Sequence, residues 1–211
     1  MRPRIQNSRL RLLKKLFFRH CEPRRGEAIP FFEIASSPSA PRNDEAKKFG
    51  DNLKFQIRLK DILKGNVVIV GIGNSLRGDD GFGPALIERL KGEVSALCID
   101  AQTAPENYIG KIAKAKPDTI LIADSVHLRL LPGECRILTK SDILNCGLST
   151  HDISPAMLIG FLEKETRANI YLLGVQPKSV SFAEEMSDDM KKALEEVTKL
   201  IKEALRCTKL I

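Results

Sequence analysis

Two rhythms of apolar and polar positions organise most of this chain. Asn66–Ile72 (NVVIVGI), Thr119–Asp124 (TILIAD) and Asn169–Val175 (NIYLLGV) are short, continuous apolar runs. They have the length of strands and no polar face, as expected of strands buried on both sides of a parallel sheet. Ser95 to Asp100 predicts a further strand, and Leu131 to Leu138, opened by a Pro-Gly turn, a short antiparallel strand at an edge. Between these runs the spacing becomes helical. A first helix is predicted over about Phe82 to Lys91, with Ala85, Leu86, Ile87 and Leu90 on its apolar face and Gly92 at the C-cap. A second covers about Tyr108 to Ala115. A third is opened by His151, with Ser149 or Thr150 as cap, and buries Ala156, Met157, Ile159, Gly160 and Leu162. The last, Ser187 to Leu205, carries the strongest apolar stripe, from Met190 to Leu205 at helical spacing, with Asp188 and Asp189 at its N-terminal end. Alternating strands and helices predict an α/β fold: a three-layer α/β/α sandwich around a mainly parallel sheet of about five strands.

Composition changes the picture at one end only. The 211 residues carry a net charge of +7, and the first 50 account for it, with 12 Lys/Arg against 5 Asp/Glu. The remainder is balanced, so it has no bulk electrostatic reason to seek nucleic acid or an anionic membrane. Residues 1–53 therefore read as a basic, disordered N-terminal extension and residues 54–211 as the functional domain, with Ile57 to Leu63 as an amphipathic lead-in. The Pro/Ser/Arg/Glu-rich tract from Cys21 to Asp44 resembles translated repeat elements, which would place the natural start near Leu53 to Leu63. A nucleic-acid arm and a transit peptide are the competing readings, the glutamates counting against the second. No apolar run reaches the ~20 residues of a membrane helix, and Trp is absent. The five cysteines form no C-x-x-C pair. Together these features point to a reduced, cytoplasmic protein with no membrane or nucleic-acid partner; a monomer is expected, although the sequence carries no sign of the oligomeric state.

The chemistry concentrates where strands end. After the first strand comes Gly71 to Pro84, GIGNSLRGDDGFGP, a strand–turn–helix junction of the kind that holds ligands in α/β proteins. Leu76 stands where a dinucleotide fingerprint needs its third glycine. Asp79 and Asp80 replace the Lys and Ser/Thr of a phosphate loop. Carboxylates repel phosphate and suit a cation. In a parallel sheet all strand C-termini share one edge, so Asp79/Asp80, Asp100, Gln102, Asp124 and Gln176 become neighbours there, joined by His151 from its loop. His127 is an outside candidate. Two carboxylates and one imidazole make a site for a borderline ion such as nickel or zinc with open positions. Each also has a structural reading: Asp80 as a helix cap, Asp124 as a turn cap, His151 as a helix-start polar group. Ser75, Ser125, Ser149, Ser154 and Cys146 are available nucleophiles, but none sits in a known nucleophile motif.

These motifs, with the TAPEN loop Thr103 to Asn107, IAD at Ile122 to Asp124, STHD at Ser149 to Asp152 and GVQP at Gly174 to Pro177, resemble the [NiFe]-hydrogenase maturation proteases. TAPEN and GVQP point to the subgroup serving the formate hydrogenlyase-type hydrogenase. The resemblance covers roughly Lys64 to Leu205. It implies an endopeptidase, aspartic-type or metal-linked, that removes the C-terminal extension of the hydrogenase large-subunit precursor after nickel insertion. It implies Asp80, Asp124 and His151 as the metal-contacting and catalytic residues, with the nickel carried by the precursor. It leaves Asp79 as a cap or a support behind Asp80, and Asn74 as a group that orients the turn or donates to substrate. A non-catalytic nickel-checkpoint chaperone of the precursor and a nucleotide-binding module are the alternatives.

Overall fold

The computed structural model describes residues 43–146 and 155–207. The elements run α1 (Asn43–Ile62), β1 (Val67–Ile72), α2 (Phe82–Leu90), β2 (Leu97–Gln102), α3 (Ile109–Lys114), β3 (Thr119–Ser125), β4 (Cys135–Leu138), α4 (Lys140–Cys146), α5 (Pro155–Glu165), β5 (Asn169–Val175) and α6 (Asp188–Cys207). One sheet takes the order β2-β1-β3-β5-β4. β1, β2, β3 and β5 are parallel, and β4 runs antiparallel along β5 at the edge. This is the three-layer sandwich that the alternation of runs predicts.

Strand alternation sorts the core into two layers. Val67 and Ile69 of β1, Leu121 of β3 and Leu173 of β5 pack with Leu59 of α1, Phe82, Leu86 and Leu90 of α2, and the apolar stripe of α6. Val68 and Val70, Ile120 and Ile122, and Leu172 face the other way, onto Ile112 of α3, Ile143 of α4 and Leu158, Ile159 and Leu162 of α5. The period of two in side-chain direction is the reason a run without a polar face is the right signature of these strands. β3 is buried at all seven positions, and it lies at the centre of the sheet between β1 and β5.

Three elements differ from the sequence reading. α1 begins at Asn43 and runs unbroken across position 53, so the helix straddles the expected boundary; the compact unit begins at Pro41. Its inner face is marked by Leu59 and, just past its end, Leu63, both fully buried. α4 was not expected at all. It is started by a reciprocal cap: the Thr139 amide and hydroxyl donate to Asp142 Oδ2 at 2.8 and 2.7 Å, and the Asp142 amide returns toward Thr139 Oγ1. This is a capping box with Asp in the usual Glu position. Third, β2 continues two residues beyond Asp100, because its register with β1 slips at Gly71/Ile72. The opening of the helix at His151 and its cap at Ser149 or Thr150 lie outside the described residues.

Candidate active site

The four parallel strands end on one edge, and a cleft of about 350 Å³ opens there. Ile72 to Asn74 and Arg77 form one side, Thr103 and Pro105 another, and Pro177 and Val180 close a third. Asp80, Asp124, Ser125 and His127 all line it.

Asp80 sits in a short 3-10 turn, Gly78–Gly81, between β1 and α2. It is not the cap of α2: the N-cap position is Gly81, with no side-chain cap bond. Its carboxylate is held from two directions instead. The Asn74 amide donates to Oδ2 at 2.9 Å, and the Ser125 hydroxyl donates to Oδ1 at 3.0 Å. Two donors on separate oxygens fix both the rotamer and the plane of the carboxylate. Asn74 thus orients the turn through its main chain, and its side-chain oxygen accepts from the Leu76 amide.

Asp124 projects from the end of β3 and is 7% exposed. Burial is the main force on its carboxyl group. The neighbouring Asp80 carboxylate pushes in the same direction, and a hydrogen bond from the Ser125 amide opposes them. The result is a carboxyl pushed up to about 8. At neutral pH Asp124 therefore carries a proton beside a second acid, an arrangement suited to taking up a cation as the proton leaves.

Asp79 faces away from the cleft. It is 1% exposed and accepts four hydrogen bonds from the segment between β5 and α6: the Lys178, Ser179 and Ser187 amides and the Ser187 hydroxyl, at 2.7, 3.4, 2.7 and 2.9 Å. Ser187 in turn caps α6, accepting at Oγ from the Met190 amide. One carboxylate so ties the glycine turn to a cleft wall about a hundred residues away in sequence. Replacing Asp79 by Ala would leave those donors buried without an acceptor. We expect a loss of about 2–3 kcal/mol in urea unfolding, with Asp80 and Asp124 themselves unchanged.

The other polar groups at the sheet edge divide in the same way. Asp100 accepts from the Gln102 amide at 3.1 Å and lines a separate groove behind α2, so neither joins the cleft. Gln176 is buried and braces the chain after β3: its Oε1 accepts from the Leu128 and Leu130 amides. His127 is exposed at the cleft, with Nδ1 3.3 Å from Gln176 Nε2. His151 lies outside the described residues. Among the described residues no three His, Cys, Asp or Glu side chains are placed to hold a metal ion together. Two cleft residues were not legible as such. In the sequence Ser125 reads only as an available nucleophile, yet its hydroxyl is committed to Asp80. Arg77 donates from Nε to the Val180 carbonyl at 3.1 Å, joining the two sides of the cleft, and an arginine in a turn carries no sequence sign of that.

Comparison with known proteins places this architecture. A sequence model described as hydrogenase maturation protease matches residues 84–204. The Hydrogenase 3 maturation protease of Escherichia coli (strain K12) is 38% identical over 133 residues, covering 62% of this chain and 85% of that protein. The crystal structure of a [NiFe] hydrogenase maturation protease from Thermococcus kodakarensis KOD1 superposes with a TM-score of 0.66 at 36% identity, covering 71% of this chain and 99% of that one. The solution structure of an endopeptidase from Escherichia coli gives a TM-score of 0.58 at 32% identity, covering 66% and 90%. The chain belongs to the hydrogenase maturation protease family. It is a maturation endopeptidase of the α/β/α class, built on the five-stranded sheet described above.

Proposed function

We propose that this endopeptidase removes the C-terminal extension of a [NiFe]-hydrogenase large-subunit precursor, and does so after nickel has been inserted. Asp80, Asp124 and His151 contact the nickel, which arrives as part of the substrate. The observation that supports this reading is the pairing of Asp80 and Asp124 in one cleft, one fixed by two donors and the other protonated at neutral pH. Such a pair is a partial and weak set of ligands. It suits an ion that brings most of its own coordination with it, so that the precursor binds well only once loaded. The docked ion would then orient the peptide and polarise the scissile carbonyl or a water molecule. The reaction is metal-linked in this sense, with the carboxylates as its acidic groups. One copy of the enzyme acts on one precursor, in the cytoplasm. No described helix is long and apolar enough to cross a membrane.

The test uses the purified full chain with nickel-loaded and nickel-free precursor, followed by gel mobility. We expect rapid shortening of the loaded form only, and a drop of at least a hundredfold for Asp80→Asn. Equal cleavage of both forms would remove the checkpoint, and normal cleavage by His151→Ala would remove that residue from the site. Stable association without shortening would instead make the protein a chaperone of the loaded precursor.

A further inference from the structure

The cleft is rich in acceptors. Asp80 presents a carboxylate and Asp124 a carboxyl group with a single hydrogen to give, whereas a peptide entering it brings several carbonyl oxygens. Some wall group must supply hydrogens to them. The Ser125 hydroxyl and the Asn74 main-chain amide are already spent on Asp80, and Arg77 Nε is spent on Val180, which leaves the terminal Arg77 nitrogens, the Asn74 side-chain amide and His127 as donors on the wall. His127 lines the same cleft and is exposed.

Its tautomer follows from Gln176. Two main-chain amides, of Leu128 and Leu130, donate to one side-chain atom of Gln176, at 2.7 and 3.3 Å. That atom must be the oxygen, so the amide group cannot be turned over. Its nitrogen is then a pure donor. One hydrogen goes to the Pro177 carbonyl at 3.1 Å, and the other points at His127 Nδ1, 3.3 Å away. Nδ1 is the acceptor, and the neutral ring carries its hydrogen on Nε2. Gln176 is only 8% exposed, so this polarity is built into the fold.

Resting on the function proposed above, we infer that His127 binds the precursor by donating from Nε2 to a main-chain carbonyl oxygen of the peptide in the cleft, and that Gln176 is the positioning residue that keeps His127 in its donating form. A main-chain contact of this kind is indifferent to side chains. It holds the peptide against the two carboxyl groups whatever its sequence.

Gln176→Glu separates the inference from a merely structural role. The glutamate keeps an oxygen for Leu128 and Leu130 but presents a second oxygen to His127, and it also deprives the Pro177 carbonyl of its donor, so urea unfolding of the variant is measured beside the kinetics. The ring hydrogen moves to Nδ1, and Nε2 becomes an acceptor facing the substrate carbonyl. We expect kcat/KM for loaded precursor to fall at least tenfold, carried mainly by KM. The ¹⁵N spectrum of the histidine ring should show the protonated nitrogen switching from Nε2 to Nδ1. His127→Leu should lose at least tenfold, and His127→Gln, which returns an N–H near the Nε2 position, should recover most of it. In the His127→Gln background Gln176→Glu should cost less than threefold, because the tautomer is no longer there to switch. Processing by His127→Leu within twofold of the unmodified protein would overturn the inference, as would a ring already protonated on Nδ1. If the unmodified protein fails to cleave, the proposed function falls first. The inference is then read from precursor association, where unchanged affinity of His127→Leu would overturn it.

Discussion

Replacing Asp124 by Asn is expected to abolish processing and at the same time to raise the thermal midpoint of the protein by about 4–8 °C at pH 7. The two effects have one origin. The folded protein holds the Asp124 carboxyl up to about 8, against an ordinary value of 3.8, because the group is buried and faces the Asp80 carboxylate. Below 3.8 both folded and unfolded chains keep the proton, and the site has no pH-dependent cost. Between 3.8 and about 8 the unfolded chain releases its proton while the folded chain retains it, so stability falls as pH rises through this window. Above about 8 the loss levels off. At pH 7 it is on the order of 4 kcal/mol. Asn has the same shape and no proton to lose, so the slope disappears. Its amide pays a desolvation penalty of its own, which leaves a net gain of roughly 2 kcal/mol. Thermal unfolding at pH 4, 6 and 8 checks this: the variant should lie below the unmodified protein at pH 4, where only the amide's desolvation penalty remains, and overtake it as pH rises, with the largest gain at pH 8. A variant less stable than the parent at every pH would show that the carboxyl is structural. Stability gained where activity is lost is the mark of a group kept for chemistry at the fold's expense.

That cost is invisible in the sequence, although the position is not. TILIAD announces a buried strand ending on a carboxylate, and the parallel sheet then guarantees that Asp124 meets whatever ends the neighbouring strands. Long-range periodicity gave the layers and the edge; it could not divide labour between adjacent residues. Asp79 and Asp80 are chemically identical and next to each other. Their separation into a buried tie and a cleft carboxylate is decided by Lys178, Ser179 and Ser187 on one side and Ser125 on the other, all brought near by folding. His127 has the same lesson, since its tautomer is set by an amide 49 positions away. Short local signals were missed for a different reason. The start of α4 at Thr139-Lys140-Ser141-Asp142 is a legible capping pattern, but the helix behind it has seven residues, too few for a convincing apolar stripe. α1 is legible in the sequence only near its end, where Leu59, and Leu63 just past it, stand among charged residues as the apolar positions of a buried face. Its earlier residues share the charged character of the tract before it.

Gly83→Ala is expected to be among the most damaging single substitutions in the turn, although it adds one methyl group and favours helix. The first turn of α2 lies directly on the end of β1, and Gly83 is the point of closest approach. A Cβ there would sit 2.1 Å from the Ile72 carbonyl oxygen, 2.5 Å from the Ile72 nitrogen and 2.7 Å from the Ala123 carbonyl oxygen. All three are main-chain atoms of the two central strands, so no rotamer change relieves the clash. Gly71 faces the same contact from below, where a Cβ would meet the Gly83 carbonyl oxygen at 2.4 Å. Relief requires α2 to lift off the sheet. That would open the packing of Phe82, Leu86 and Leu90, all fully buried, and would shift the turn carrying Asp80. The loss should therefore exceed the ~1–3 kcal/mol typical of an overpacked core, where side chains can give way. Gly160→Ala in α5 is the counterpart, because nothing lies within 4 Å of its added Cβ. There the same change should stabilise by about 0.5–1 kcal/mol through helix propensity alone. Urea unfolding of the two variants side by side measures both. If Gly83→Ala were as stable as Gly160→Ala, the glycine would not be setting the helix–strand distance, and the position of Asp80 over the cleft would need another cause.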